Sequence, residues 1–335
     1  MKCLTWFSFI VIFMNINTVD QAVAGCGAAT CPLNTHRYLH SGRLILGVAR
    51  EYINQDQIRL GSSESLVGAF RQPDQEHDEV QTINSRDIFR LQYGVFDRLA
   101  LNVELPFVHR EHSHFVIEES EWESWNFTGL GDVIVSGQFA ALLPPSEFSP
   151  YVSFAFGVKL ATGVTTALNS EGEEAEVTIQ PGTGSTDVIL GFDYRQALLS
   201  VPTLSGDVHA TLPLSIGVTY RINGEGTLDW RFGNQLIASI GTEYRFASRA
   251  SLLFQINGRF QEKAEPGRVD IGDVPPGNTG GTWVFASPGL RVQLTDAFAA
   301  YAITQIPVYQ DVNGIQQTSN LNLQFGLSFE TGLLE

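Results

Sequence analysis

Along residues 127–143 apolar side chains occupy every second position: Val133, Val135, Phe139 and Ala141 alternate with Asp132, Ser136 and Gln138. A repeat of two marks an extended strand, because successive side chains of such a strand point to opposite faces. The pattern recurs. Leu99, Leu101, Val103, Leu105 and Phe107 oppose Arg98, Asn102 and Glu104, while Val152, Phe154, Phe156 and Val158 oppose Ser153 and Lys159. Val188, Leu190, Phe192 and Tyr194 oppose Asp187, Asp193 and Arg195. The same reading predicts strands over 212–221, 235–246, 252–260 and 321–329, and less regular ones over 42–52, 82–94, 283–294 and 298–310.

These make twelve strands, joined alternately by short and long connections. Short turns fall near residues 94–97, 144–146, 200–202, 247–249 and 295–296; long loops cover about 53–80, 111–127, 164–183, 222–230, 264–282 and 311–317. An even strand number, with both termini on the short-turn side, is the layout of a bacterial outer-membrane barrel. A secreted β-sandwich would alternate in the same way. Its second face would then need a covering layer, and no sequence remains to supply one. The expected fold is therefore all-β: a transmembrane antiparallel up-and-down β-barrel of about twelve strands, spanning residues 42–335.

The N-terminus fits export. Lys2, the apolar run Leu4 to Ile16 and the small residues Ala22-Val23-Ala24 read as a signal peptide over residues 1–24. Residues 25–41 then form a periplasmic N-terminal segment. Its Cys26 and Cys31 are spaced for a disulfide in an oxidising compartment. The same segment leaves two alternatives open: Val23-Ala24-Gly25-Cys26 resembles a lipidation site, and Cys26, Cys31, His36 and His40 together supply a zinc donor set.

Charge sharpens the picture. The chain carries a net charge of −16, and the six long loops account for all of it. The second loop holds Glu111, Glu118, Glu119, Glu121 and Glu123 without a basic residue. Such a rim attracts cations, divalent ones included, and excludes nucleic acid as a partner. The partners expected are outer-membrane lipid and small solutes. Strand parity turns Arg90, Arg98, Glu104, Lys159, Asp193, Arg195, Arg221, Glu243, Arg245, Arg259 and Arg291 inward, where they either pair and fill the lumen or line a wet path.

Candidate chemistry is sparse. His209 is the histidine well inside a strand and has no nucleophile motif around it, so no enzyme and no cofactor is expected. His109, His112 and His114 lie where the third strand enters the acidic loop and form a candidate transition-metal set. On an extended chain His109 points away from the other two, so this set requires the strand to end first. His77, between Glu76 and Asp78, is placed to join from the first loop.

Four motifs carry a family resemblance: Tyr93-Gly94-Val95-Phe96-Asp97-Arg98-Leu99, Leu105-Pro106-Phe107, Gly129-Leu130-Gly131-Asp132 and Lys159-Leu160-Ala161-Thr162-Gly163. Together they resemble a large family of bacterial outer-membrane transporter-like barrels that includes proteins named for the meta pathway of phenol degradation. The resemblance implies a passive channel for small solutes, hydrophobic or aromatic ones among them. The alternative is a non-conducting barrel, filled by its own charge pairs, whose acidic, His-containing loops bind metal ions or surface partners. One departure from the barrel pattern is that Phe329 is followed by residues 330–335 instead of ending the chain.

Overall fold

Each alternating run forms a strand. The computed structural model describes residues 41–71, 75–146, 148–203, 209–272 and 274–332. The signal peptide and the Cys26–Cys31 pair lie outside the described residues. The strands are β1 (Arg43–Gln55), β2 (Gln57–Leu60), β3 (Ser63–Ser65), β4 (His77–Phe96), β5 (Leu99–Val116), β6 (Glu121–Leu130), β7 (Ile134–Leu142) and β8 (Tyr151–Lys159). The second half contributes β9 (Asp187–Pro202), β10 (His209–Ile222), β11 (Gln235–Ala247), β12 (Ala250–Gln261), β13 (Gly281–Gln293), β14 (Phe298–Val312), β15 (Ile315–Thr318) and β16 (Asn322–Gly332).

The large sheet is antiparallel throughout, and β1 closes it by pairing with β16 on one side and β4 on the other. β6 and β7 share one position, because β6 pairs with the outer half of β5 and β7 with its inner half. The result is a closed barrel of twelve strand positions, so its wall has no open edge, and β6, which pairs with β5 alone, rises above it. A small sheet, β15-β2-β3, forms between two of the long loops.

The two faces differ as the alternation requires. Phe89, Leu101, Phe107, Phe139, Phe154, Leu190, Phe254 and Phe325 are exposed on the outside, whereas Glu104, Gln138, Ser153, Asp193, Gln255, Asn257 and Gln324 are buried inside. An exposed apolar band around a polar interior is what a bilayer demands and what water would penalise. The band ends at one level in a polar belt: Arg50 Nη1 lies 3.4 Å from Asp87 Oδ2, and Thr128 Oγ1 bonds His109 Nδ1 at 2.6 Å. Inner-face isoleucines interrupt the polar wall, with Ile45, Ile53, Ile134, Ile189 and Ile303 all buried.

Two expectations need correction. The second long loop is not a loop over 111–127: β5 continues to Val116 and β6 starts at Glu121, leaving a tip of four residues. The cross-strand pairs Glu111↔Asn126 and His114↔Glu123 keep it a β-hairpin. Parity also fails near Ala141, where a register shift between Ala140 and Leu142 turns the end of β7.

Candidate functional site

Most inward charges predicted from parity are found inside, and most of them are bonded. Arg90 Nε lies 3.4 Å from Glu104 Oε2, and both side chains are buried. Asp193 accepts from Gln138 Nε2 at 3.2 Å and from Ser153 Oγ at 3.4 Å. Arg221, Arg259 and Arg291 are buried, and the Arg259 guanidinium sits 4.6 Å over the Trp283 ring. Arg195 and Glu243 are half-buried, whereas Arg245 is exposed at the short-turn end, directly opposite Ser251. Arg98 lies in the β4–β5 turn, where it donates to the carbonyls of Ala140 and Ala141 instead of entering the lumen.

Sequence reading missed other inner-wall groups. Glu51 receives Arg86 Nε at 3.0 Å and Gln324 Nε2 at 2.9 Å. Arg110 Nε donates to Asn84 Oδ1 at 2.6 Å, and its Nη1 bonds the backbone carbonyls of Ile179 and Gln180. The β8–β9 loop, residues 160–186, therefore folds into the barrel.

Two of the family-like motifs hold that loop. β6 and β7 break at 131–133 opposite Pro106, which has no N–H to give a ladder. Gly131 sits so close that an added Cβ would lie 2.9 Å from Pro106 Cγ. The break turns Asp132 inward, where it accepts the backbone N–H groups of Gly163 and Thr183 at 2.9 Å each. Buried Lys159 Nζ bridges Asp132 Oδ2 at 2.9 Å and Asp187 Oδ2 at 3.0 Å. At Gly163 and Gly182 the two ends of the loop touch: a Cβ on Gly163 would come within 2.6 Å of Gly182 Cα.

At the long-loop end lies a cluster of imidazoles and carboxylates. His77 and Glu79 come from β4, His112 and His114 from β5, Glu123 from β6 and Glu176 from the β8–β9 loop. Glu176 Oε1 is 3.3 Å from His77 Nε2 and 3.3 Å from His114 Nδ1. His77 stacks on His114 with ring centroids 4.0 Å apart, and Trp125 packs edge-on to His114. His77, Glu79 and Glu176 also line a small solvent-open cleft of about 60 Å³, walled by Ile58, Ile179 and Val274. Of the predicted metal set, His112 and His114 converge here. His109 does not: β5 runs on past it, so it keeps outward parity and lies in the polar belt, 44 % exposed and 3.9 Å from Asp87.

The cluster stands beyond the apolar band, and its electrostatics follow from burial among mutual charges. Burial opposes ionisation of Glu176, yet the charge of His77, the close approach of His114 and the nearby His112 hold its pKa at about 2, against the usual 4.5. Burial also opposes the charge on His114, but the Glu176 carboxylate 3.3 Å away raises the pKa above 6.5. Burial wins at His112, which is lowered.

No family model matches the sequence, and no curated protein matches it. Solved structures do. The COG4313 outer membrane channel from Pseudomonas putida F1 superposes with a TM-score of 0.61 at 13% identity, covering 90% of this chain and 100% of that one. The transport unit of the autotransporter AIDA-I from Escherichia coli gives 0.49 at 8% identity, with 90% and 93% covered. At such identity the first likeness establishes the fold: this chain is a twelve-stranded barrel of the outer-membrane type.

Proposed function

We propose that the protein is a bacterial outer-membrane channel that passes small solutes by diffusion through a narrow lumen. The observation that carries this reading is the pairing of a closed apolar outer band with an inner wall bearing hydrogen-bonding or charged groups on every strand position. The inward loop 160–186 and the buried charge pairs narrow the path. A narrow polar passage favours ions and small polar solutes over the hydrophobic or aromatic ones that the family resemblance implies. Cation preference fits Glu79 and Glu176 at the cleft better than the hairpin tip, where Glu118, Glu119 and Glu121 stand exposed beyond the mouth.

Planar-bilayer recording of refolded protein tests this. Small, cation-selective steps are expected from wild type. Gly182→Ala, whose Cβ would meet Gly163 at 2.6 Å, should loosen the loop and enlarge the steps. Absence of conductance from both proteins would remove the channel reading. The second reading, a non-conducting barrel filled by its own side chains, is favoured by one observation: inward Ser153, Ser287, Gln55 and Thr82 are all 0% exposed.

A further inference from the structure

The histidine–carboxylate cluster has a feature that charge pairing does not explain. Four of its polar atoms, His112 Nε2, His114 Nδ1, Glu176 Oε1 and Glu79 Oε2, are buried without a hydrogen-bond partner. Their side chains are 0%, 4%, 5% and 36% exposed in that order. An orphaned buried polar atom costs about 1–3 kcal/mol, and native proteins avoid it unless something else fills the gap. Here the orphans face one another. His77 Nε2, His114 Nδ1 and Glu176 Oε1 lie within 4.8 Å of one another, and so do the ligand atoms of Glu79, His112 and Glu176.

The surrounding bonds set the ring tautomers. Thr82 Oγ1 gives its proton to Gln317 Oε1 at 2.5 Å and lies 2.9 Å from His112 Nδ1, so it accepts from that nitrogen. That fixes the His112 proton on Nδ1 and leaves Nε2 with a lone pair directed into the cluster. His114 places Nε2 on Glu123 Oε2 at 2.9 Å, which frees Nδ1 in the same direction. A carboxylate behind the His114 ring, orienting it and raising its basicity, is the usual outer shell of a metal ligand. The spacing agrees as well. Bonds of about 2.0–2.1 Å to a tetrahedral ion put neighbouring ligand atoms roughly 3.3 Å apart, and both contacts to Glu176 Oε1 measure 3.3 Å.

We propose that this cluster is a binding site for a divalent transition-metal ion of the zinc class, with His77 Nε2, His114 Nδ1 and Glu176 Oε1 as ligands and His112 beside them. Two imidazoles and one carboxylate suit zinc, nickel, cobalt or copper, and disfavour calcium and magnesium, which take oxygen donors. The ligands come from β4, β5 and the β8–β9 loop, so the ion ties the inward loop to the projecting hairpin. The cleft lined by His77 and Glu176 provides the way in. The site stands independently of the channel reading, since binding is measured without conductance.

The test uses the full mature chain, refolded in detergent without a polyhistidine tag. Cys26→Ser and Cys31→Ser are included so that the N-terminal donor set does not compete. Calorimetry with Zn²⁺ should give one ion per chain, with no binding of Ca²⁺ or Mg²⁺. Binding should be lost in His77→Ala and His114→Ala, weakened roughly 10–100-fold in Glu123→Gln, and unchanged in His109→Ala. Heat-shifted gel mobility verifies that each variant is a folded barrel. Co²⁺ added to the unmutated cluster supplies a reading independent of variant folding, the intense visible bands of a four-coordinate ion. No Zn²⁺ binding, binding that survives His114→Ala, or loss on His109→Ala would overturn the site.

Discussion

Replacing Lys159 by Met should damage the barrel more than any change to a single exposed loop residue. In the wild type its ammonium sits between two buried carboxylates, 2.9 Å from Asp132 and 3.0 Å from Asp187. Those two contacts keep the carboxylate oxygens within about 6 Å of each other, so at an effective dielectric near 20 their repulsion without the lysine is about 3 kcal/mol. Lost bonds to Ser185 and Thr183 add to this, and breaking a buried ion pair from one side costs about 3–5 kcal/mol in general. Urea titration of protein folded in lipid vesicles, followed by tryptophan fluorescence, should show a loss in that range. Lys159→Met with Asp187→Asn should recover at least half of it. An asparagine oxygen can still accept from Ser185 and Gly224, and the remaining Asp132 keeps its backbone donors. A single variant within about 1 kcal/mol of wild type would mean that water already solvates the cluster, and the account of how the loop is held would be wrong. So would a double variant no better than the single.

The face assignment predicts that Phe154→Arg, which puts a charge on an outward position now 52% exposed, costs about 2–4 kcal/mol in the same titration. Ser239→Arg, inward and half-buried, should cost less than half as much; equal costs would refute the assignment. Ser153, the neighbour of Phe154, is a poor control because it packs against Gln138 and Asp193. In metal-free protein, docking of the loop 160–186 should depend on pH in a way set by Glu176 and His114. The depressed Glu176 pKa contributes stability that is present above 4.5 and lost as pH falls towards about 2. The raised His114 pKa contributes stability that is present below 6.5 and lost as pH rises through its folded value. Buried His112, being lowered, subtracts from docking as it is forced to charge in acid. Limited proteolysis of the loop in chelator should therefore show wild type better protected than Glu176→Gln between pH 4.5 and 6.5, with the advantage shrinking on either side. A pH-independent difference would refute this.

The barrel was legible in the sequence because alternation is a local signal. A strand with one face in lipid and one in the lumen writes its orientation into every pair of residues, and Phe154 beside Ser153 is enough to read it. Arg90 and Glu104 could likewise be turned inward by counting. Three things could not be counted. β1 carries Arg50 and Glu51 side by side, and only the barrel's closure against β4 and β16 shows that Glu51 faces Arg86 while Arg50 faces Asp87. The β5–β6 hairpin looks like a loop in the sequence because its residues turn polar past Phe107. They do so because the outer face leaves the apolar band there, while the backbone ladder continues. Glu176 is the clearest miss. It comes from a loop about 60 residues beyond His114 in sequence, and the bonds that bring it inward run through Asp132, Gly163 and Arg110, none of which announces a partner. The spacing of His112 and His114 puts them on one face, but their companion comes from β4 as His77, because a continuing strand keeps His109 on the other side.

The continuation of that hairpin sets how far the molecule reaches. From Phe107, where the continuous outward apolar run of β5 ends, the strand runs nine more residues to Val116. At about 3.4 Å per residue and a tilt of about 40°, this lifts the tip roughly 23 Å above the edge of the apolar band. Anything arriving from outside, whether an ion, an antibody or another cell surface, meets Glu118, Glu119 and Trp122 exposed at the end of this projection. The tip thus stands clear of lipid headgroups, and a peptide inserted between Glu118 and Glu119 would be carried there just past the last rung of the ladder, His77↔Val116.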